Sequence, residues 1–487
     1  MRSELTNTED DAKQFDSLHE ECGVFGIYQN QTAPVAASVY YGLYALQHRG
    51  QESCGMAICD DGVFRQYKGD GLVADVFTKK ALAGLGEGNI AIGHVRYSTT
   101  GGKNANNIQP LVVRHIKGNL ALVHNGNLTN AYELRSAFEN RGRIFHGTSD
   151  TESIAYTLVE KRLRVGSAEE AIEQTMYGLK GAYSCIAMSA TKMIAFRDPN
   201  GFRPLCLGST PEGGYIVASE SCAIDAVGGT FLRDIKPGEI VVIGKDGVRS
   251  IQTHCGKKGT ICVFEYIYFA RPDSVIEGAS VHKARKRAGA FLAEESPVEA
   301  DVVIGVPDSG IDAAIGYAER SGIPYGMGFI KNKYIGRSFI APDKKQRENA
   351  VRIKLNVLKD TVKGKRVVMI DDSIVRGTTC ARIVKLLREA GATEVHMRVS
   401  APPFVKPCYF GTDVDSEENL IACKFDTVEK IAKEIGVDSL GYLSVAAAHK
   451  IAEGAACEFC DGCFTGRYPV DPPKEHAKDK FEEKIKR

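Results

Sequence analysis

The sequence predicts two α/β-type units in tandem, the first on stacked, largely antiparallel sheets and the second on a parallel sheet. Three observations lead there. At 487 residues with 43% hydrophobic content, the chain can bury more than one core, and its length points to two or three domains. From Cys22 to about residue 250, short strand-like runs such as "CGVFGIY", "NIAIGHVRYST", "NLALVHNG", "AYSCIAMS" and "EIVVIG" are punctuated by Gly, Asn and Asp. Helical periodicity interrupts them at 152–164 and 168–180, the mark of sheets with helices outside. From about 262 the texture turns to βα alternation. Helix "VHKARKRAGAFLAEES" leads to strand "ADVVIGVP", and helix "SGIDAAIGYAERSG" to strand "IPYGMGFI". Strand "KRVVMI" then precedes helix "TTCARIVKLLREAG", and strand "EVHMRVS" follows.

Charge and composition exclude several classes. The chain carries 62 Lys and Arg against 61 Asp and Glu, which argues against broad binding to nucleic acid or membrane. No apolar run approaches the roughly 18 residues of a membrane span. The leader "MRSELTNTEDDAKQFDSLHEE" lacks the apolar core of a secretory signal and is too acidic for a transit peptide. A cytoplasmic protein is expected, so its fourteen cysteines point to thiol chemistry or metal ligation rather than disulfides. The segment 331–356 is polar, aperiodic and rich in Lys and Arg, as mobile lids often are.

The most specific motif is "RVVMIDDSIVRGTT", 366–379. An apolar strand ends in adjacent carboxylates, and a loop then passes through Gly377 into a helix. Backbone N–H groups at such a start suit a terminal phosphate. Asp371 and Asp372 are placed to accept hydrogen bonds from vicinal hydroxyls, so the expected ligand is a phosphorylated sugar held at both ends. The string resembles the phosphoribosylpyrophosphate (PRPP) loop of type I phosphoribosyltransferases. "GVPDSG", 305–310, follows another apolar strand and matches the place where that fold meets pyrophosphate.

Cys22 opens the first unit behind a 21-residue leader. Cleavage before it would expose an amine, with a reference pKa of about 7.7–8.0, as a built-in base beside its own thiol nucleophile. The leader would then serve to block that amine. "GHVRYSTTGG" sets Arg96 at a strand end, able to clamp a carboxylate through two hydrogen bonds. "HNGNLTN" offers the Asn125 amide and the Gly126 N–H as an oxyanion pair. "GTSDTE" places Asp150 at a helix start, where it could receive an ammonium group. Singly these strings read as a surface ion pair, a hairpin turn and a helix cap. Together they supply a nucleophile, an oxyanion hole and a grip on both charges of an amino acid.

The strings "CGVFGIY", "LQHRGQESCGMA", "GHVRYSTTG", "HNGNLTN", "GTSDTE", "EYIYFARPDS", "DDSIVRGTT" and "CFTGRYP" occur in the order found in the glutamine PRPP amidotransferase family, which this chain resembles from about residue 18 to 470. The resemblance implies an α/β and α+β two-domain chain: a propeptide at 1–21, an N-terminal-nucleophile hydrolase αββα sandwich (glutamine amidotransferase) at 22–255, a type I phosphoribosyltransferase parallel-sheet domain at 262–455 and a tail at 456–487. It implies that Cys22 attacks glutamine, that Asn125 and Gly126 stabilise the oxyanion, and that Arg96 and Asp150 bind the substrate. Ser373, Val375, Arg376, Gly377, Thr378 and Thr379 would cradle the 5-phosphate, with Asp371 and Asp372 on the ribose and on Mg²⁺. Ammonia would displace pyrophosphate to give 5-phosphoribosylamine, the first step of de novo purine (IMP) biosynthesis. Relatives assemble as tetramers, and purine nucleotide inhibitors are expected. Many relatives carry a hydroxyl residue where this chain has Gly310.

In the tail "CEFCDGCFTGRYP", Cys457, Cys460 and Cys463 are spaced like metal ligands, and the motif alone favours zinc. The resemblance instead implies Cys262, Cys408, Cys460 and Cys463 as ligands of a [4Fe–4S] cluster, with Cys457 spare. Two other classes are distinguishable. Glutaminases such as glucosamine-6-phosphate synthase or asparagine synthetase lack "DDSIVRGTT", and a PRPP-sensing regulator would have no use for Cys22, Arg96 and Asn125.

Overall fold

The strand-rich first half folds as two stacked sheets. In the computed structural model, which describes residues 22–97, 105–332, 355–414 and 416–473, one sheet has seven strands. Their spatial order is Thr230–Asp234, Cys206–Ser209, Tyr215–Ala218, Gly23–Ala33, Gly88–Arg96, Ser53–Asp60 and Val63–Asp70. The other has six, ordered Gly247–Ile251, Ile240–Gly244, Met193–Arg197, Gly181–Met188, Gly118–Leu128 and Leu111–His115. Every pairing in both is antiparallel. Val24, Ala57, Ile92, Ala121, Ile186 and Val217 pack in one buried cluster between the sheets. Helix Val35–Ala45 packs with the outer face of one sheet, and helices Asp150–Arg164 and Ala168–Met176 with the other. The leader lies outside the described residues.

The second half carries a four-stranded parallel sheet in the order Val302–Gly305, Arg366–Asp371, Glu394–Val399 and Ser439–Tyr442. Helices Val281–Glu295, Gly310–Ser321 and Thr378–Glu389 fall on the expected segments. The expected strand 323–330 does not form as such. Tyr325 makes an isolated bridge to Val303, and Phe329–Lys331 pairs antiparallel with Leu355–Val357 instead. Gly326 and Gly328 explain this, because a Cβ there would stand 2.8 Å from Val302 and 2.6 Å from Ile304 side chains. The segment touches the sheet's edge only briefly, the Val303 N–H donating to the Pro324 carbonyl at 2.9 Å and the Gly326 N–H to the Val303 carbonyl at 2.8 Å, before it turns to its partner Leu355–Val357. Most of the expected lid, 333–354, is outside the described residues.

One apolar cluster runs through this unit and takes in Ala182 and Phe202 from the first, so the two halves share a core. Residues 265–269 join them as a single π-helical turn. Arg285 holds that turn from the second half, donating to the carbonyls of Tyr266 (2.9 Å), Tyr268 (2.8 Å) and Ala270 (2.7 Å).

Helices Val281–Glu295 and Gly310–Ser321 cross at glycines. A Cβ on Gly289 would meet the Ala313 carbonyl oxygen at 1.8 Å, and one on Gly316 the Lys286 carbonyl oxygen at 1.9 Å. Gly289→Val must therefore part the helices, at an expected cost of about 3 kcal/mol, read as a lower denaturant midpoint. A midpoint equal to wild type would show that the crossing yields freely.

Candidate functional site

The strand register positions the candidate nucleophile. Gly23 pairs with Val95, so Cys22 stands beside Arg96 and Tyr97 at the strand ends. The Cys22 Sγ lies 3.6 Å from the Tyr97 carbonyl oxygen, which it can approach as a donor, and the Cys22 carbonyl accepts from Arg49 Nε at 3.2 Å. Arg96 is buried. Sequence reading missed Arg49, although "LQHRGQ" contains it: its guanidinium is fully buried and bridges Glu220 and Glu265, each at 2.7 Å.

Asn125 and Gly126 lie on Gly118–Leu128, opposite Ser184 and Tyr183. Asn125 is 1% exposed, and among the described residues its Nδ2 has no hydrogen-bond partner. An unpaired buried donor costs about 1–3 kcal/mol. Gly126 has φ +138°, and a Cβ there would stand 2.3 Å from the Ala182 carbonyl oxygen, so only glycine fits. The two sheets are stitched at this level. The His94 ring donates through Nε2 to the His124 carbonyl at 3.0 Å, while its buried Nδ1 has no partner among the described residues.

Asp150 begins helix Asp150–Arg164 behind Ser149, whose side chain caps the Thr151 N–H. Its carboxylate accepts the Leu128 N–H at 2.9 Å and lies 3.5 Å from His124 Nδ1. Burial works to raise its pKa, but His124 and the backbone donors prevail and hold it below the usual carboxylate range. Asp150 is thus ionised and already engaged by protein groups, a setting that its motif did not show.

In the second unit, Asp371 ends strand Arg366–Asp371 and Asp372 follows, both nearly buried. Asp372 accepts from the Ser309 hydroxyl and, at 2.7 Å, from that of Ser373. Gly377 turns the chain with φ +86° as the N-cap of helix Thr378–Glu389. Ser373, Val375, Arg376, Thr378 and Thr379 lie on this loop and helix start. Gly310 has a packing reason: a Cβ there would stand 2.5 Å from the Ile370 carbonyl oxygen. The hydroxyl bonded to Asp372 comes from Ser309 instead.

The cysteines converge through pairing that sequence did not reveal. Thr260–Cys262 and Glu458–Cys460 form a parallel two-stranded sheet with Cys262 opposite Cys460. The Val405 and Lys406 amides both donate to the Cys463 carbonyl, drawing in the segment that carries Cys408. Cys262, Cys408, Cys460 and Cys463 line one apolar cavity with Phe202, Phe264, Phe404, Phe410 and Tyr468. Cys457 is not in that lining. Burial pushes the Cys460 thiol up to about 12, and the neighbouring Cys408, Cys262 and Cys460 add to burial in raising Cys463. Among the described residues, no three His, Cys, Asp or Glu side chains stand in a ready metal-holding arrangement, so the nest is four converging thiols rather than a preformed ligand shell.

A strand-end thiol on stacked antiparallel sheets, joined to a strand–glycine turn–helix loop on a parallel sheet, is the arrangement of a glutamine amidotransferase fused to a phosphoribosyltransferase. The comparisons agree. Residues 94–226 match the model of the glutamine amidotransferase domain, and 279–430 that of the phosphoribosyl transferase domain. The amidophosphoribosyltransferase of Bacillus subtilis (strain 168) is 50% identical over 459 residues, covering 93% of this chain and 95% of that one. That of Archaeoglobus fulgidus is 48% identical, covering 94% and 99%. The solved glutamine PRPP amidotransferase from B. subtilis, complexed with ADP and GMP, superposes with a TM-score of 0.86 at 49% identity, covering 93% and 98%. The chain belongs to the amidophosphoribosyltransferase family. It is a glutamine-dependent phosphoribosyltransferase acting at the first step of purine biosynthesis.

The stitch between the sheets carries a pH dependence. Burial pushes the His94 imidazole down to about 3 from an ordinary 6.5. The unfolded chain takes up this proton as pH falls through 6.5, whereas the folded chain does not until near 3. Stability present above pH 6.5 is therefore lost on acidification, by at most about 1.4 kcal/mol per pH unit from this group. His94→Gln should flatten the fall in unfolding free energy between pH 6.5 and 4.5. Parallel curves for the two proteins would exclude His94 as the cause.

Proposed function

We propose that the chain carries out this reaction at two sites with the following residues. Cys22, freed of its leader, attacks the side-chain amide of glutamine, its own α-amine taking the thiol proton. Asn125 Nδ2 and the Gly126 N–H stabilise the tetrahedral oxyanion. Ammonia leaves, and water hydrolyses the thioester to glutamate. Arg96 binds the substrate carboxylate and Asp150 its ammonium. The observation that carries the glutaminase assignment is the buried Asn125 amide, whose Nδ2 has no partner among the described residues.

In the second unit, Asp371 and Asp372 hold the ribose hydroxyls, and the 373–379 loop receives the 5-phosphate at a glycine-turned helix start. The same carboxylates would hold Mg²⁺, which when bound neutralises pyrophosphate as the leaving group. Ser309 orients Asp372 for that role. Ammonia rather than ammonium must react, so a path closed to water between the sites is required, and 331–356 is the candidate segment for closing it.

The four-thiol nest fits a [4Fe–4S] cluster of structural role, since no step transfers electrons. Supporting it are the convergence of Cys262, Cys408, Cys460 and Cys463 on one cavity and the separate surroundings of Cys457, whose charged neighbours are Glu277, Arg197 and Asp234. The propeptide, a cytoplasmic location, a homotetramer and inhibition by purine nucleotides belong to the same reading. For localisation, the described residues contain no helix long and apolar enough to cross a membrane.

Cys22→Ser should abolish glutamine-dependent synthesis and leave ammonia-dependent synthesis near wild type. Loss of both in a folded variant would break the two-site assignment. Asp372→Asn should lower PRPP turnover by about tenfold or more with either nitrogen donor, and near wild-type ammonia-dependent kinetics would misplace the PRPP site. Intact mass with iron and sulfide analysis of anaerobically purified protein should show a chain beginning at Cys22 and about four irons. Colourless, active protein holding one zinc per chain would overturn the cluster.

A further inference from the structure

The turn at 408–412 separates the cysteine nest from the strand that carries Asn125 and Gly126. Cys408 lines the nest at one end of the turn. On its other side, the Tyr409 carbonyl accepts from Asn127 Nδ2 at 2.9 Å. Gly411 then lies directly on the glutaminase backbone: with φ +113°, a Cβ there would stand 3.2 Å from the Gly126 carbonyl carbon and 3.3 Å from its Cα. No side chain intervenes. The turn is itself pinned to the first unit. Arg203 donates to the Phe410 carbonyl through Nε (3.1 Å) and Nη2 (2.9 Å), and its Nη2 reaches Thr412 Oγ1 at 3.1 Å. The Phe410 ring stacks on Phe202 with centroids 4.2 Å apart.

We propose that Asn127 and Gly411 are positioning residues for glutamine hydrolysis, the 408–412 turn of the second unit acting as the buttress that holds the Asn125–Gly126 oxyanion donors in place. The inference rests on the assignment of those donors. Strand Gly118–Leu128 pairs with Gly181–Met188 through residue 128, but Gly126 has no side chain with which to pack its own backbone. Its other face is covered by Gly411. Oxyanion donors act only when aimed at the developing charge, and a misplacement of about 1 Å can cost on the order of 10²-fold in rate. A backbone-on-backbone contact plus one amide bond to a carbonyl is a rigid way to supply that aim. Because Cys408 begins the same turn, order in the nest and order in the oxyanion hole are coupled through a few residues.

The test uses the full-length, anaerobically purified enzyme. Asn127→Ala, which alters only the glutaminase side of the clamp, should lower kcat for glutamine hydrolysis by about tenfold or more and change KM less than about twofold. Visible absorbance, iron content and ammonia-dependent synthesis should match wild type, showing that nest and second site are intact. Gly411→Ala, which lifts the turn off Gly126, should give the same kcat-selective loss. Asn125→Ala is the control for the underlying assignment. If it loses kcat while Asn127→Ala and Gly411→Ala keep wild-type kcat, the buttress is overturned and the oxyanion assignment stands. If Asn125→Ala itself keeps wild-type kcat, that assignment falls and the buttress with it. A rise in KM at constant kcat in Asn127→Ala would also overturn the proposal, since it would place Asn127 in substrate binding.

Discussion

Four buried charges hold the two halves of this molecule in one arrangement. Arg49 bridges Glu220 and Glu265, and Arg203 reaches Glu265 at 3.3 Å, with all four side chains out of contact with solvent. His48 adds a contact to Glu220 at 2.7 Å. Burial alone would raise the Glu220 pKa, yet His48 and Arg49 hold it well below the usual carboxylate range. Removing one partner from such a set strands the rest, typically at about 3–5 kcal/mol. The set joins parts remote in sequence. Arg49 also holds the Cys22 carbonyl, Glu265 begins the turn linking the domains, Arg203 pins the Phe410 carbonyl and the Thr412 hydroxyl, and Glu220 accepts the Arg271 N–H. Cys22, the domain junction and the cysteine turn thus share one electrostatic centre. Hydrogen bonds of fixed direction give that centre a geometry that apolar contact alone would leave loose.

Sequence made the local parts of this design legible. Short strand-like runs punctuated by Gly, Asn and Asp marked the antiparallel strands, 3.6-residue periodicity marked helices such as Val281–Glu295, and "DDSIVRGTT" marked a strand, glycine turn and helix start that the structure repeats. What sequence did not carry is pairing at long range. Nothing in "LQHRGQ" says that Arg49 meets Glu220 and Glu265, some 170 and 216 residues away. The apolar run at 323–330 looked like a strand, but Tyr325, Met327 and Ile330 are exposed and the run meets the parallel sheet through the bridge of Tyr325 to Val303. Asp150 showed the same limit. Its position before a helix was visible, but the Leu128 amide and His124 ring that hold its charge come from another strand.

The tail illustrates why spacing alone could not choose ligands. Cys457, Cys460 and Cys463 are equally spaced, but Glu458–Cys460 runs as a strand whose period of two sets neighbouring residues on opposite sides. Cys460 falls opposite Cys262, while Cys457 precedes the strand near Arg197 and Glu277. Three residues of spacing thus separate two environments, one shared by thiols and one by charged groups.

Several locally costly features lie on the strands around Asn125 and in the cysteine nest. Asn125 Nδ2 and His94 Nδ1 lack partners among the described residues, Gly126 takes a backbone conformation open to glycine, and the Cys460 thiol is driven far from its ordinary titration range. Each would be selected against in a strand interior or core chosen for stability alone. They persist because neighbours over-determine them. Strand pairing continues on both sides of Asn125, the His94 ring is fixed at Nε2, and the cysteine nest is enclosed by aromatic side chains. A scaffold held by buried ion pairs and a core common to both halves can keep donors unsatisfied without letting the chain relax around them. An oxyanion hole requires that state: a donor that found a partner in the resting enzyme would have to break that bond before it could meet the charge it serves.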